Sequence, residues 1–223
     1  MRNKAIACLI AGMLLLASPA VFSADNMEII KLPAPQIEGG MPLMEALKLR
    51  KSTRGDFGPD MKLPMQTLSN LLWAANGVNR PGGYRTAPTA VNWRHIDIYI
   101  TTADGLFLYD PDRNELKVLG RKDVREISGT QDFVKTAPLN LIYVADFNKA
   151  RAPGGKGEIM PTAEVWSFAE VGAISQNVSL FCASEGLATI LRAFFVSEVI
   201  EKALNLRPDQ KVILTQTVAH FKK

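Results

Sequence analysis

Apolar residues recur at helical spacing in several parts of the chain. Leu68, Leu71, Leu72 and Ala75 repeat at intervals of three and four residues, which predicts a helix over residues 66–76. Comparable patterns predict further helices over residues 44–51, 122–127, 164–185 and 197–204.

The segment 164–185 is the longest of these predicted helices, and it is rich in small residues. They are Ala169, Gly172, Ala173, Ser175 and Ala183. Because small side chains let a second backbone approach closely, this helix is predicted to lie in the middle of the fold or at a subunit interface.

Other segments have the patterns of β-strands. Ile96, Ile98 and Ile100 alternate with more polar residues, and a second apolar run, residues 106–109, follows the turn residues Asp104-Gly105. This combination predicts a β-hairpin. Continuous apolar runs predict a buried strand over 139–145 and a closing strand over 212–218, with a short apolar turn after Gly186.

Helices and strands are mixed along the chain without a regular β-α-β alternation, which predicts an α+β fold. The pattern favours one domain over residues 43–223, preceded by an extended arm over residues 25–42 that is rich in proline and glycine. Residues 150–161 are also rich in glycine and proline and are interpreted as a loop near the mouth of any site.

The N-terminus has the three parts of a secretory signal peptide. Arg2 and Lys4 precede an apolar run over residues 5–17, and small residues follow up to Ala24. The run is about 13 residues, shorter than the roughly 20 that a membrane-spanning helix needs. We therefore predict cleavage after Ser23 or Ala24, and a periplasmic or secreted bacterial protein without stable membrane insertion.

Charge and composition exclude several classes of partner and site. Loss of residues 1–24 removes two of the 26 basic residues and none of the 22 acidic ones, which leaves a formal charge of +2. So small an excess argues against a nucleic-acid partner. Cys182 is then the single cysteine, and with two histidines in the chain no spacing indicates a metal site.

Three segments are candidates for binding chemistry. Arg50, Lys51, Ser52 and Arg54 place three cations and a hydroxyl within five residues, as a phosphate site requires. The alternative is that cations at a helix C-terminus complement the helix dipole and stay solvated.

The other two candidates are a polar loop over residues 85–92 and a turn at Gly186. Hydroxyl, amide and backbone N–H groups of the loop can contact a ribityl chain or the edge of a heterocycle, although the same residue types are common in ordinary turns. Backbone amides after Gly186 can donate to a flavin ring nitrogen, or the glycine can simply end the helix.

Taken in order, these segments resemble the nitroreductase family. The resemblance runs from about Leu43 to the C-terminus and rests on LRKSTRGDF, on RTAPTAVNWRHIDIYI, on GAISQNVSLFCASEGLATILRAF and on VILTQTVAHFKK. The layout is similar to the branch that includes azoline-forming oxidases. Relatives usually end the closing strand with Val-Gly-Tyr-Pro, whereas this chain has Val218-Ala219-His220-Phe221.

The resemblance implies a mixed central sheet flanked by helices, an intertwined homodimer, and FMN bound at the subunit interface. One subunit would hold the phosphate and the pyrimidine edge, the other would contribute the polar loop, and the turn after Gly186 would lie near the reactive ring nitrogen. The implied binding residues are Arg50, Lys51 (through its backbone), Ser52, Arg54, Pro88, Thr89, Ala90, Asn92, Leu187, Ala188, Thr189, Ile190 and Lys222.

The implied activity is ping-pong electron transfer from a small-molecule donor to a small organic acceptor such as a nitroaromatic or a quinone. No catalytic acid or base is assigned. Two alternatives stay open: a flavin-dependent dehydrogenase of a peptide or small molecule, and a secreted binding or scaffold protein that has lost catalysis.

Overall fold

The computed structural model describes residues 27–55, 57–58, 61–152 and 157–222. The predicted signal peptide, residues 1–24, lies outside the described residues, and so do residues 153–156 of the predicted loop near the site mouth.

Seven strands form one sheet in the order β1-β6-β5-β4-β7-β9-β8, and each neighbouring pair is antiparallel. A separate two-stranded hairpin consists of β2 and β3. The strands are β1 (Ile29–Lys31), β2 (Val78–Arg80), β3 (Tyr84–Arg85), β4 (Ile96–Thr102), β5 (Gly105–Asp110), β6 (Glu115–Gly120), β7 (Leu139–Asp146), β8 (Leu187–Arg192) and β9 (Gln210–His220).

In the part of the chain that the structure describes, five helices pack around the sheet. They are α1 (Leu43–Leu49), α2 (Met65–Asn76), α3 (Phe133–Thr136), α4 (Ala163–Ser184) and α5 (Ser197–Leu204). Short 3-10 turns occur at Ala90–Asn92, Arg125–Ser128 and Phe147–Lys149. None of the helices within the described ranges is both long and apolar enough to cross a membrane.

The core has two parts, one on each face of the sheet. Leu141 of β7 packs in a cluster with residues of α2 and α4, such as Leu71 and Val171. The adjacent Ile142 packs in a second cluster with Ile200 of α5. Neighbouring residues of a strand point to opposite faces, so β7 is covered on both sides and all eight of its residues are buried. This burial explains its continuous apolar sequence.

The predicted α+β class is confirmed, with a sheet that is antiparallel throughout its described pairings rather than mixed. The helices predicted over 66–76, 164–185 and 197–204 are present within one or two residues at each end. The predicted hairpin is β4 with β5, in which Tyr99 lies opposite Leu108. The segment predicted as a helix over 122–127 instead forms the 3-10 turn Arg125–Ser128.

The short apolar turn predicted after Gly186 is wrong, because the chain there forms β8. This strand pairs with β9 from Leu187 opposite His220 to Arg192 opposite Thr215. The open edge of β9 supplies hydrogen-bond partners that local sequence patterns do not show. The strand matters for function because it forms one wall of the candidate site.

Candidate functional site

Two of the three predicted segments meet around one cavity of about 470 Å³. Arg50 and Lys51, at the end of α1, lie on one side, and Leu187 and Thr189 of β8 lie on another. The remaining lining residues come from α1, the end of α4 and the C-terminus: Lys48, Leu49, Ser179, Cys182, Ala183, Gly186 and Phe221.

The segment after α1 is held against β8 by a backbone hydrogen bond. Helix α1 ends at Leu49. The next residue, Arg50, has an extended backbone (φ −56°, ψ 124°), and the Arg50 N–H still donates to the Ala46 carbonyl at 2.8 Å. The Thr53 N–H then donates to the Thr189 carbonyl at 2.8 Å. This contact brings the predicted phosphate-binding segment next to the strand after Gly186.

Thr53 is a residue of this region that the sequence analysis did not identify. Its residue surface is 4% exposed, and its hydroxyl has no hydrogen-bond partner among the described residues. Buried hydroxyl groups are usually paired with protein, water or a ligand. Next to Thr189, Thr53 is therefore a candidate ligand contact.

Strand β8 presents alternate side chains to the cavity. Leu187 and Thr189 line it, whereas Ala188 and Ile190 do not, as the twofold periodicity of a strand requires. The Thr189 hydroxyl donates to the Thr217 carbonyl at 2.8 Å and accepts from Gln216 Nε2 at 3.0 Å. Both contacts fix the Thr189 side chain in one orientation.

Gly186 connects α4 to this strand in a left-handed conformation. Its φ is +66°, and a Cβ at this position would meet no atom within 4 Å. Backbone conformation, not space, therefore favours glycine here. The predicted role of Gly186 as helix terminator is confirmed.

The cavity is positively charged. Its lining includes the cations of Lys48, Arg50 and Lys51 and, within the described chain, no carboxylate. Cys182 contributes an uncharged wall, because burial raises the pKa of its thiol well above the usual value. Such a surface combines affinity for an anion with apolar contact area.

Other predicted residues lie at the edge of this region. Ser52, Arg54 and Lys222 are exposed and do not line the cavity. The Lys51 ammonium lies 5.0 Å from the centre of the Phe221 ring. Phe221, at the point where the chain departs from the usual closing sequence, is thus a lining residue that the sequence analysis did not assign.

The polar loop lines a second cavity, of about 550 Å³, which shares no lining residue with the first. Pro88, Thr89 and Asn92 are on its wall. The Ala90 N–H points elsewhere and donates to Glu170 Oε1 of α4 at 2.6 Å. A cofactor contact by Ala90 would have to use its other atoms.

The turn over residues 89–94 is strained. Val91, Asn92 and Arg94 have φ values of 47°, 59° and 53°. The left-handed region costs a residue other than glycine about 1–2 kcal/mol, and it is least suitable for a β-branched residue such as Val91. The surrounding structure must therefore hold the turn in place.

Comparison with known proteins identifies the family. The model of the nitroreductase family matches residues 47–220. This chain belongs to the nitroreductase family. Members of this family are FMN-dependent oxidoreductases, and the match includes all three candidate segments.

Individual relatives agree with this assignment. A Methanocaldococcus jannaschii protein that is named as a nitroreductase is 31% identical to this chain over 189 residues, which cover 79% of this chain and 89% of the relative. A nitroreductase crystal structure from Ralstonia eutropha has 40% identity and a TM-score of 0.78, and the match covers 87% of this chain and 90% of that one.

A third comparison concerns a flavin complex. A Desulfovibrio desulfuricans nitroreductase, solved in complex with FMN, has the same fold, with a TM-score of 0.55 at 17% identity. The match covers 83% of this chain and 89% of that chain.

The strain in the turn of this nitroreductase leads to a first prediction. Val91→Asn should raise the free energy of unfolding by about 0.5–1 kcal/mol, because asparagine tolerates the left-handed region far better than valine. Denaturant unfolding of the two proteins measures this difference. Val199→Asn is the control: Val199 lies in a helix, where the two residue types have similar propensities. A Val91→Asn protein less stable than the parent would contradict the assigned strain.

Proposed function

We propose that this nitroreductase is an FMN-dependent enzyme that transfers electrons from a small-molecule donor to a small organic acceptor such as a nitroaromatic or a quinone. The observation that carries the proposal is the cation-lined cavity where the end of α1 meets β8. The FMN complex of the Desulfovibrio desulfuricans relative supports the choice of cofactor.

The residues around this cavity fit the parts of FMN. Arg50 and Lys51 provide positive charge for a phosphate group, and the buried Thr53 hydroxyl nearby has no hydrogen-bond partner among the described residues. Leu187 and Phe221 provide apolar surface for a flat ring. In the proposed site, Ser52 and Arg54 complete the segment that holds the phosphate and the pyrimidine edge.

Bound FMN would supply the redox chemistry, accepting electrons in one half-reaction and returning them in the next. The protein would bind and orient the donor and the acceptor in turn over one surface. No side chain is assigned as a catalytic acid or base.

We propose further that the enzyme is a homodimer in which Pro88, Thr89 and Asn92 of one subunit complete the flavin site of the other. The two cavities of a single chain support this arrangement: they share no lining residue among the described residues, and a second subunit could bring the polar loop beside the cation-lined cavity. Large apolar side chains are exposed on α1 and on the start of α4: Leu43, Met44, Leu47, Val165, Trp166 and Phe168. Exposed apolar surface of this kind is typical of an interface.

The phosphate assignment can be tested by replacing Arg50 or Arg54 with alanine and measuring the affinity of each variant for FMN and for riboflavin. Hydrogen bonds to charged groups contribute about 1.5–3 kcal/mol. Arg50→Ala should therefore weaken FMN binding by roughly tenfold to a hundredfold. Riboflavin lacks the phosphate, so its affinity should hardly change. Arg54→Ala, at the pyrimidine edge, should weaken both flavins.

Fluorescence titration of each variant with each flavin separates these effects. Arg113→Ala is the control, because Arg113 is an exposed arginine in the turn between β5 and β6. Solvated surface cations contribute little, about 1 kcal/mol or less. Parental affinities in all four titrations would refute the phosphate assignment.

The dimer proposal predicts a coupled loss in Gly172→Leu. A Cβ at Gly172 meets no atom within 4 Å in its own chain, so the subunit should still fold. At a close helix contact between subunits, the leucine would overpack the interface and abolish dimerisation and FMN binding together. Light scattering and flavin absorbance measure the two properties, and circular dichroism checks the fold. A folded monomer with full flavin content would disprove the shared site.

We also propose that the enzyme is exported, on the evidence of residues 1–24 in the sequence. Nicotinamide cofactors are largely confined to the cytoplasm, so the native donor of an exported enzyme should be a quinol or a small redox protein of the envelope. Stopped-flow reduction of the flavin by quinols and by NADPH compares the two sources. Fast, saturable turnover with NADPH alone would count against the proposed donor.

A further inference from the structure

A buried cluster of polar side chains lies beneath the strained turn. His95, just before β4, is fully buried, and Glu170 of α4 is 4% exposed. Glu170 Oε1 accepts from the Ala90 N–H at 2.6 Å, and Oε2 lies 3.3 Å from His95 Nδ1. On the other side of the imidazole, Nε2 lies 2.8 Å from the Ser167 hydroxyl.

Both nitrogens of the imidazole face a polar side chain. The Ser167 hydroxyl lies 2.8 Å from Nε2 and 2.8 Å from the Ala163 carbonyl oxygen, so its one proton can be donated to either acceptor. Nδ1 lies near Glu170 Oε2 but makes no hydrogen bond among the described residues.

The two carboxylate oxygens of Glu170 face different neighbours. Oε2 lies on the side of His95, which leaves Oε1 to accept the hydrogen bond from the Ala90 N–H.

The contact with Ala90 ties the turn to the core. Other hydrogen bonds of the turn are internal, such as Arg94 N–H to Thr89 Oγ1 at 2.9 Å, or exposed, such as Trp93 Nε1 to the Arg151 carbonyl. Glu170 instead connects the turn's backbone to a buried position on α4. Since three residues of the turn are left-handed, such an anchor is what keeps its shape.

We propose that Glu170 is a positioning residue that sets the 89–94 turn for flavin binding. This inference rests on the proposed function, in which the turn contacts FMN of the opposite subunit. Drawing the Ala90 N–H inward leaves Thr89 and Asn92 on the wall of the second cavity. Glu170 would thus act on the flavin through the turn, without touching it.

Two substitutions of similar size test the anchor in the full chain. In Glu170→Gln, the amide oxygen can accept from Ala90 and the amide nitrogen can donate to Nδ1 of a neutral His95. Glu170→Met fills the same volume and can do neither. Hydrogen exchange of peptides covering residues 88–95 measures the order of the turn without FMN, and a titration then measures FMN affinity.

We expect Glu170→Met to accelerate exchange in the turn and to weaken FMN binding by about tenfold or more each, while Glu170→Gln stays within about twofold of the parent. Unchanged exchange in Glu170→Met would overturn the positioning role. Faster exchange with unchanged FMN affinity would overturn the turn's place in the flavin site. A parent that binds no FMN but still shows the exchange difference would refute the proposed function alone.

A measurement on the parent protein avoids dependence on a variant that does not fold. The amide proton of Ala90, which is donated to Glu170 Oε1, should be protected from hydrogen exchange in the parent. An unprotected Ala90 amide would overturn the anchor.

Discussion

The candidate site depends on the register of β8 against β9. The pairing of Thr189 with Val218 places Leu187 and Thr189 on the cavity face, and the same strand accepts the Thr53 N–H that brings Arg50 and Lys51 into position. A slip of one residue would exchange these side chains for Ala188 and Ile190. The contacts of Thr189 with Thr217 and Gln216 oppose such a slip because they would be lost.

Much of the fold was predictable where one pattern dominated. Helix α2 is buried along one stripe, and its apolar residues repeat at helical spacing. Strand β7 is buried on both faces, and its sequence is a continuous apolar run. Strand β8 was not predictable in this way, because its formation depends on the edge of β9. Strands β1 and β6 also escaped prediction. Strand β1 pairs with β6, more than 80 residues later in the chain, and a pairing of segments so far apart leaves no local signal.

The residues of the candidate site were also predictable only in part. The resemblance brought Arg50, Lys51, Leu187 and Thr189 together, and the structure places all four around one cavity. Phe221 lines the cavity because of a tertiary contact and belongs to no polar motif. Thr53 lies inside the polar segment at residues 50–54, but its burial beside Thr189 depends on the fold. His95 and Glu170 are 75 positions apart, so spacing could not link them.

The two cavities and the strained turn are consistent with the proposed function. In it, the cation-lined cavity would hold an anionic group and the neighbouring apolar wall a flat ring, and the turn needs an anchor because its backbone is unfavourable by itself. A scaffold protein that had lost its cofactor would have little reason to keep uncompensated cations around an apolar cavity. The account therefore stands or falls on whether this chain carries a flavin.

The most direct measurement is the flavin content of the protein purified from the compartment in which it matures. We predict a yellow protein that releases a stoichiometric amount of FMN on denaturation and regains its absorbance when FMN is returned to the refolded chain. A colourless, folded protein that takes up no added FMN would contradict the central claim.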